Sequence, residues 1–194
     1  MLNLVIPKEL KQEFATIEAI WVSRATTRRV DSLLLAWVKY EKQLRRLFCF
    51  LVFQHPRILG SDITSVINAM AQRNNLHPHT FVNAIAHLGV TPVSNLIGPK
   101  FKTLNTEVNR IKRYRNKLMH GQVTGLPITS RQLEVDVGHL IDWIQSLAIG
   151  ADGILGYDGL RRNTFKEAKA SAKINVANYP FATANQFGAW LATV

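Results

Sequence analysis

The chain has 194 residues, 47% hydrophobic and 19% charged, which fits one globular domain and excludes a fibrous, low-complexity or disordered chain. Its 24 Lys and Arg against 13 Asp and Glu leave a formal net charge of +11. Such an excess favours polyanionic partners, because neutralised phosphates release condensed counterions. The single cysteine, Cys49, excludes a disulfide framework or a cysteine metal cluster within one chain.

In chain order the apolar spacing predicts helices. Residues 8–24 read as the first, after a lead that ends at Pro7. Residues 26–54 read as a second, long one, with Val30, Leu33, Leu34, Trp37, Val38, Leu44, Leu47, Phe48 and Leu51 near a 3.6-residue recurrence and Pro56 as its stop. The composition of 48–53 also suits a short strand, but the continuing pattern favours helix. This run, which holds Cys49 as a small buried hydrophobe, is too short for a membrane span of ~20 residues. The start of the chain carries Lys8, Glu9, Lys11 and Glu13 and has no signal-like apolar region. A cytoplasmic, non-membrane protein is expected.

Ser61 reads as the N-cap of a helix over 61–73, and Pro78 as the first turn of another over 78–87. Gly89, Pro92, Gly98 and Pro99 mark a connection with short local structure. A basic helix follows over 101–120, with Gly121 as its C-cap. After a turn at Gly125-Leu126-Pro127, Thr129 and Gln132 form a capping box for a helix striped by Leu133, Val137, Leu140, Ile144 and Leu147 and ended by Gly150. Gly150, Gly153, Gly156 and Gly159 then make a turn-rich segment, followed by a short helix within 163–173. The expected organisation is an all-α helical bundle over 1–150, with the glycine-rich segment and C-terminal tail, 151–194, as an appendage packing on the domain or on a partner.

The stretch richest in chemistry is Arg115-Asn116-Lys117-Leu118-Met119-His120-Gly121. Leu104, Val108, Ile111 and Leu118 form the apolar stripe of this helix, and Arg115 falls on it, between Ile111 and Leu118. A guanidinium there requires a partner, whereas Arg110, Lys112, Arg113 and Lys117 occupy the other faces. His120 lies about 140° around an ideal helix from Arg115, so the two meet only if the helix loosens at Gly121 or a second subunit supplies one of them. A neutral imidazole can take a proton from a ribose 2′-hydroxyl, and a guanidinium fork can stabilise charge developing on a phosphate. The bland alternative pairs Arg115 with an acid such as Asp136 or Glu134 and leaves His120 capping a carbonyl.

This R-N-x-x-x-H-G segment resembles the signature of HEPN domains, in which arginine is followed by a polar residue and then histidine. The resemblance covers residues 101–148. It implies a HEPN-like helical bundle, a homodimer whose two motifs face a shared cleft, and a metal-independent endoribonuclease without cofactor, of the toxin–antitoxin or antiphage kind. Arg115, Asn116 and His120 would be catalytic, Arg110, Lys112, Arg113 and Lys117 would hold the RNA backbone, and an antitoxin protein would be a further partner. Some HEPN toxins carry a modifiable tyrosine two positions after the histidine; Gln122 stands there, which puts that regulation in doubt. The alternative is a non-catalytic HEPN-like module binding nucleic acid, nucleotide or protein, with a DNA-binding regulator built on residues 61–90 as a weaker third reading.

Other signals point elsewhere. His77, His79 and His87 lack a nearby carboxylate or cysteine, so no metal site is expected. The glycine-rich segment matches neither a phosphate-binding loop nor a dinucleotide fingerprint. Arg161, Arg162, Lys166, Lys169 and Lys173 make a second basic patch, read as a solvated face that would extend an RNA track.

Overall fold

The computed structural model describes residues 4–73, 76–122, 125, 128–161, 165–173 and 175–194, and among them every regular element is helical. The helices are α1 (Lys11–Val22), α2 (Arg28–Val52), α3 (Ile63–Ala71), α4 (Pro78–His87), α5 (Val93–Ile97), α6 (Phe101–Met119), α7 (Ser130–Leu155), α8 (Ala170–Lys173) and α9 (Ala184–Leu191). Short 3-10 turns lead into α1, α3 and α6. The all-α class is thus the observed one, and the apolar run around Cys49 is helix, since α2 continues to Val52. The turn expected at Leu126-Pro127 lies outside the described residues, as do Arg162 and Asn163.

The helices fall into two compact units, each built from two separated stretches of chain. Met1–Tyr40 and Gly98–Ser146 form the first; Glu41–Ile97 and Leu147–Val194 form the second. The long helices α2 and α7 contribute to both.

In the first unit α1 buries Phe14, Ile17 and Trp21 at intervals of three and four residues, the apolar stripe of an amphipathic helix. α2 adds Leu33, Ala36, Trp37 and Tyr40; Val38 falls off that spacing and is 48% exposed, against expectation. The Trp37 and Tyr40 rings meet edge-on at 5.2 Å, Tyr40 meets Trp143 at 5.6 Å, and Phe101 meets Trp143 at 5.7 Å, a chain of aromatic contacts that adds specific geometry to area burial. A buried ion pair ties α2 to α7: Arg29 Nη2 lies 2.9 Å from Glu134 Oε1, its Nη1 donates to the Trp21 carbonyl at 3.0 Å, and its guanidinium covers the Trp21 ring at 3.8 Å. Such a pair is tolerated in the interior only when its remaining polar atoms find partners, which the Trp21 carbonyl supplies. At the start of α7, Thr129 Oγ1 accepts the Gln132 N–H at 3.1 Å, one half of the expected capping box. The Gln132 amide nitrogen also donates to Asp136 Oδ1 at 2.9 Å.

The second unit centres on Phe48, whose ring packs against Phe81 at 5.6 Å, Phe187 at 6.1 Å and Trp190 at 6.2 Å. Tyr179 donates its hydroxyl to the Leu51 carbonyl at 2.9 Å in a buried site. Residues 151–194 are therefore no appendage on a finished domain: the tail completes the core around the second half of α2. Gly150 does not end α7, which runs to Leu155. A Cβ at Gly150 would lie 1.7 Å from the Leu96 carbonyl oxygen, so this glycine is needed for close approach to α5, not for a turn. Gly156, at φ 83°, is the residue that leaves the helix. Lys169 Nζ and Lys166 Nζ reach back to the Gly153 and Gly156 carbonyls at 2.7 and 2.8 Å, placing positive charge at the negative end of α7. Ser61 lies inside the 3-10 turn Gly60–Asp62 and not at an N-cap, because the Asp62 carboxylate takes the Leu59 N–H at 2.9 Å and makes Leu59, two residues earlier, the cap of the turn.

Candidate functional site at the end of α6

α6 buries Leu104, Val108, Ile111 and Tyr114, with Arg115 and Leu118 half-buried at the edge of that stripe. The fully buried position at this turn is thus taken by Tyr114, and Arg115 flanks it. The Arg115 guanidinium carbon lies 4.8 Å from the centroid of the Trp37 ring, and its Nη1 donates to Asn116 Oδ1 at 2.6 Å. One face of the cation is covered and one edge is held, so its plane is set by neighbouring side chains. Of the two acids considered from the sequence, Glu134 pairs with Arg29 and Asp136 with Arg110.

The helix stops cleanly at His120. The Gly121 N–H bonds to the Leu118 carbonyl at 3.2 Å and the Gln122 N–H to the Lys117 carbonyl at 2.8 Å, with Gly121 in the left-handed region at φ 62°. This paired closure satisfies the last carbonyls and requires positive φ at the glycine. His120 is the cap residue, and its own N–H bonds to the Asn116 and Lys117 carbonyls at 3.2 Å. The helix does not loosen before Gly121, so the offset of about 140° between positions 115 and 120 stands. Among the described residues no hydrogen bond or ion pair joins the exposed His120 imidazole to Arg115. Arg115 and Asn116 are brought together; His120 sits apart at the surface.

Of the basic residues assigned to the RNA backbone, Arg113 and Lys117 are exposed and Lys112 half-buried. Arg110 is half-buried and engaged by two carboxylates, against the expectation of a free phosphate contact. Its Nε and Nη2 donate to Glu107 Oε2 at 2.9 and 2.7 Å, and its Nη1 to Asp136 Oδ2 at 3.3 Å, while Nη2 also bonds Asp136 Oδ1. The Asp136 hydrogen bond is the main reason its proton is held even more firmly than usual. Two carboxylates within reach of one fork account for this engagement.

Asp136, fully buried, is the hub that the sequence reading missed as a structural centre. It accepts from Arg110, from the Gln132 amide and from the Tyr114 hydroxyl. Burial chiefly, then the Asp136 contact, pushes the Tyr114 phenol well above its ordinary range. The signal was present: Asp136 falls three residues after Leu133 and four before Leu140, a carboxylate on an apolar stripe. His139 Nδ1 lies 3.6 Å from Glu107 Oε2 and 3.9 Å from Asp136 Oδ1. Glu107, Asp136 and His139 thus offer ligand atoms within 4.8 Å of one another, but the Arg110 guanidinium already supplies a cation between the two carboxylates. His77 and His79 stack on each other, 5.8 Å apart, at the surface.

No family model, no curated protein and no solved structure matches this chain. Among the described residues no helix is long and apolar enough to cross a membrane.

Proposed function

We propose that the chain is a HEPN-like endoribonuclease that cleaves RNA without a metal ion, acting as a homodimer in a toxin–antitoxin or antiphage setting. The observation that carries this reading is the preset Arg115 guanidinium, covered by Trp37 and held by Asn116, on the same helix that ends in the exposed His120. In this reading the His120 imidazole takes the proton of a ribose 2′-hydroxyl. The freed oxygen attacks the adjacent phosphorus, the bond to the 5′-oxygen breaks, and that oxygen leaves with a proton as a 5′-hydroxyl. The other product is a 2′,3′-cyclic phosphate. Arg115 stabilises the charge that builds on the phosphoryl oxygens, and a positioned base of this kind contributes ~10²–10⁴-fold. Because the two side chains diverge on one helix, the reading pairs His120 of one copy with Arg115 of a second. Arg113, Lys117 and Lys112 guide the backbone of the RNA.

Incubating the purified chain with end-labelled RNA in EDTA tests this. Cleavage to cyclic-phosphate ends, lost in both His120→Ala and Arg115→Ala, is the expected result. Cleavage that persists in His120→Ala overturns the catalytic assignment.

A second reading, a non-catalytic helical module that binds nucleic acid, nucleotide or a protein, is favoured by the same Trp37 contact, since Arg115 is already engaged within the chain. It predicts no RNA cleavage and a lower melting temperature for Arg115→Ala.

A further inference from the structure

A cavity of about 330 Å³ opens on the first unit between the N-terminal segment and α7; Val5, Pro7, Trp21, Gly138, Asp142 and Gln145 are among the residues that line it. Its size is that of a small-molecule site rather than of a protein groove.

Gly138 lines it from the middle of α7, where glycine is a poorer helix former than alanine. Close packing does not demand it, because a Cβ built there meets nothing within 4 Å. The missing side chain leaves open space on the cavity side of α7. This differs from Gly150, where the backbone of Leu96 leaves no room.

The lining combines apolar side chains with two carboxylates. Glu134 also borders the cavity, but its carboxylate is neutralised by Arg29. Asp142 is exposed and makes no hydrogen bond or ion pair among the described residues, and the half-buried Gln145 amide makes none either. In a chain of net charge +11, this cavity therefore presents an uncompensated carboxylate beside an amide oxygen, set over apolar surface. None of the described lining residues is a cation, and the neighbouring Arg29 is already paired with Glu134. An ammonium finds a charge partner in Asp142 and an acceptor in Gln145, and an apolar body finds Val5, Pro7 and the edge of Trp21.

We propose that this cavity binds a small organic amine, a protonated amino group on an aromatic or aliphatic body that lies over Gly138. The site is separate from the Arg115–His120 segment and does not depend on nuclease activity.

The test is a titration of the isotope-labelled full chain with phenethylamine, followed through amide chemical shifts, with phenylacetate as the anionic counterpart. Saturable shifts at Val135, Gly138, Asp142 and Gln145, with a dissociation constant of about 1 mM or tighter, are expected for phenethylamine alone. Asp142→Asn weakens binding about tenfold, the loss of one charge-assisted contact. Gly138→Leu fills this space and abolishes binding. Should Gly138→Leu fold poorly, the exposed Asp142→Asn variant still decides. Shifts that do not saturate, an equal response to phenylacetate, or undiminished binding by Asp142→Asn would each overturn the proposal.

Discussion

Arg115 rests against Trp37, its guanidinium carbon 4.8 Å from the ring centroid, while the next residue toward the N-terminus, Tyr114, is fully buried against Asp136. One turn of α6 thus carries two anchors, an arginine on an indole and a phenol on a carboxylate. Together they fix the rotation of α6 within the first unit.

Removing the indole should release the arginine. On the nuclease reading, Trp37→Leu lowers the single-turnover rate of RNA cleavage about tenfold, roughly the worth of a desolvated cation–π contact. Trp37→Phe, which keeps a ring face, restores most of it. The loss in Trp37→Leu disappears when Arg115→Lys is already present, because the two changes act on one contact. A full loss in both backgrounds would show that Trp37 acts through stability alone.

Asp136 should be the most sensitive polar position of the first unit. Asp136→Ala leaves Arg110 paired with Glu107 alone and removes the acceptor of the buried Tyr114 hydroxyl and of the Gln132 amide, and costs about 3 kcal/mol. Tyr114→Phe removes one bond and costs about 1 kcal/mol. Urea unfolding followed by circular dichroism measures both, and equal costs would contradict the hub.

Two glycines of the same helix should respond in opposite directions. Gly150→Ala forces a methyl group into the Leu96 carbonyl, and the backbone shift needed costs about 3 kcal/mol or more. Gly138→Ala meets open space and gains about 0.5–1 kcal/mol from helix propensity. Melting temperatures of the two variants beside the parent give the signs.

Stability should fall on mild acidification through His55. This residue is 6% exposed, stacked near Tyr179 and Phe181, and its Nδ1 accepts the Arg57 N–H at 3.2 Å, a bond only the neutral ring makes. Burial chiefly, and the charge of Arg57, hold its pKa below the ordinary histidine value of 6.5. The unfolded chain therefore takes up the proton first as pH falls. The contribution of His55 is complete above about pH 6.5 and is lost as pH drops toward the folded value. Melting curves between about pH 7.5 and 5 should show this slope flattened in His55→Gln.

The sequence made the helices legible because their stripes are strong. Leu133, Val137, Leu140, Ile144 and Leu147 are all buried, Pro78 opens α4, and Gly121 closes α6. What it hid were choices decided by tertiary contact. Gly150 reads as a helix end until Leu96 is seen against it, and the tail reads as an appendage until Phe187 and Trp190 are seen around Phe48. At the candidate site, Arg115 was visible as a cation on an apolar stripe, but its partner is an aromatic face, which leaves no charge signature in the sequence. Arg110 read as an outward base although Glu107 stands three residues before it on α6; its second carboxylate, Asp136, comes from α7 and joins the pair only in the fold.

The helix ends carry a further consequence for the charge of the molecule. Arg28, Arg46, Arg73, Lys166 and Lys169 each donate to a main-chain carbonyl, and Arg29, Lys39 and Arg110 are paired with carboxylates. Part of the basic complement therefore fastens the chain internally, with the carboxylate-paired cations also neutralised. Binding of a nucleic acid to this chain would weaken with added salt less steeply than 24 cations suggest, because each phosphate contact formed contributes its own increment of that slope and fastened cations form none.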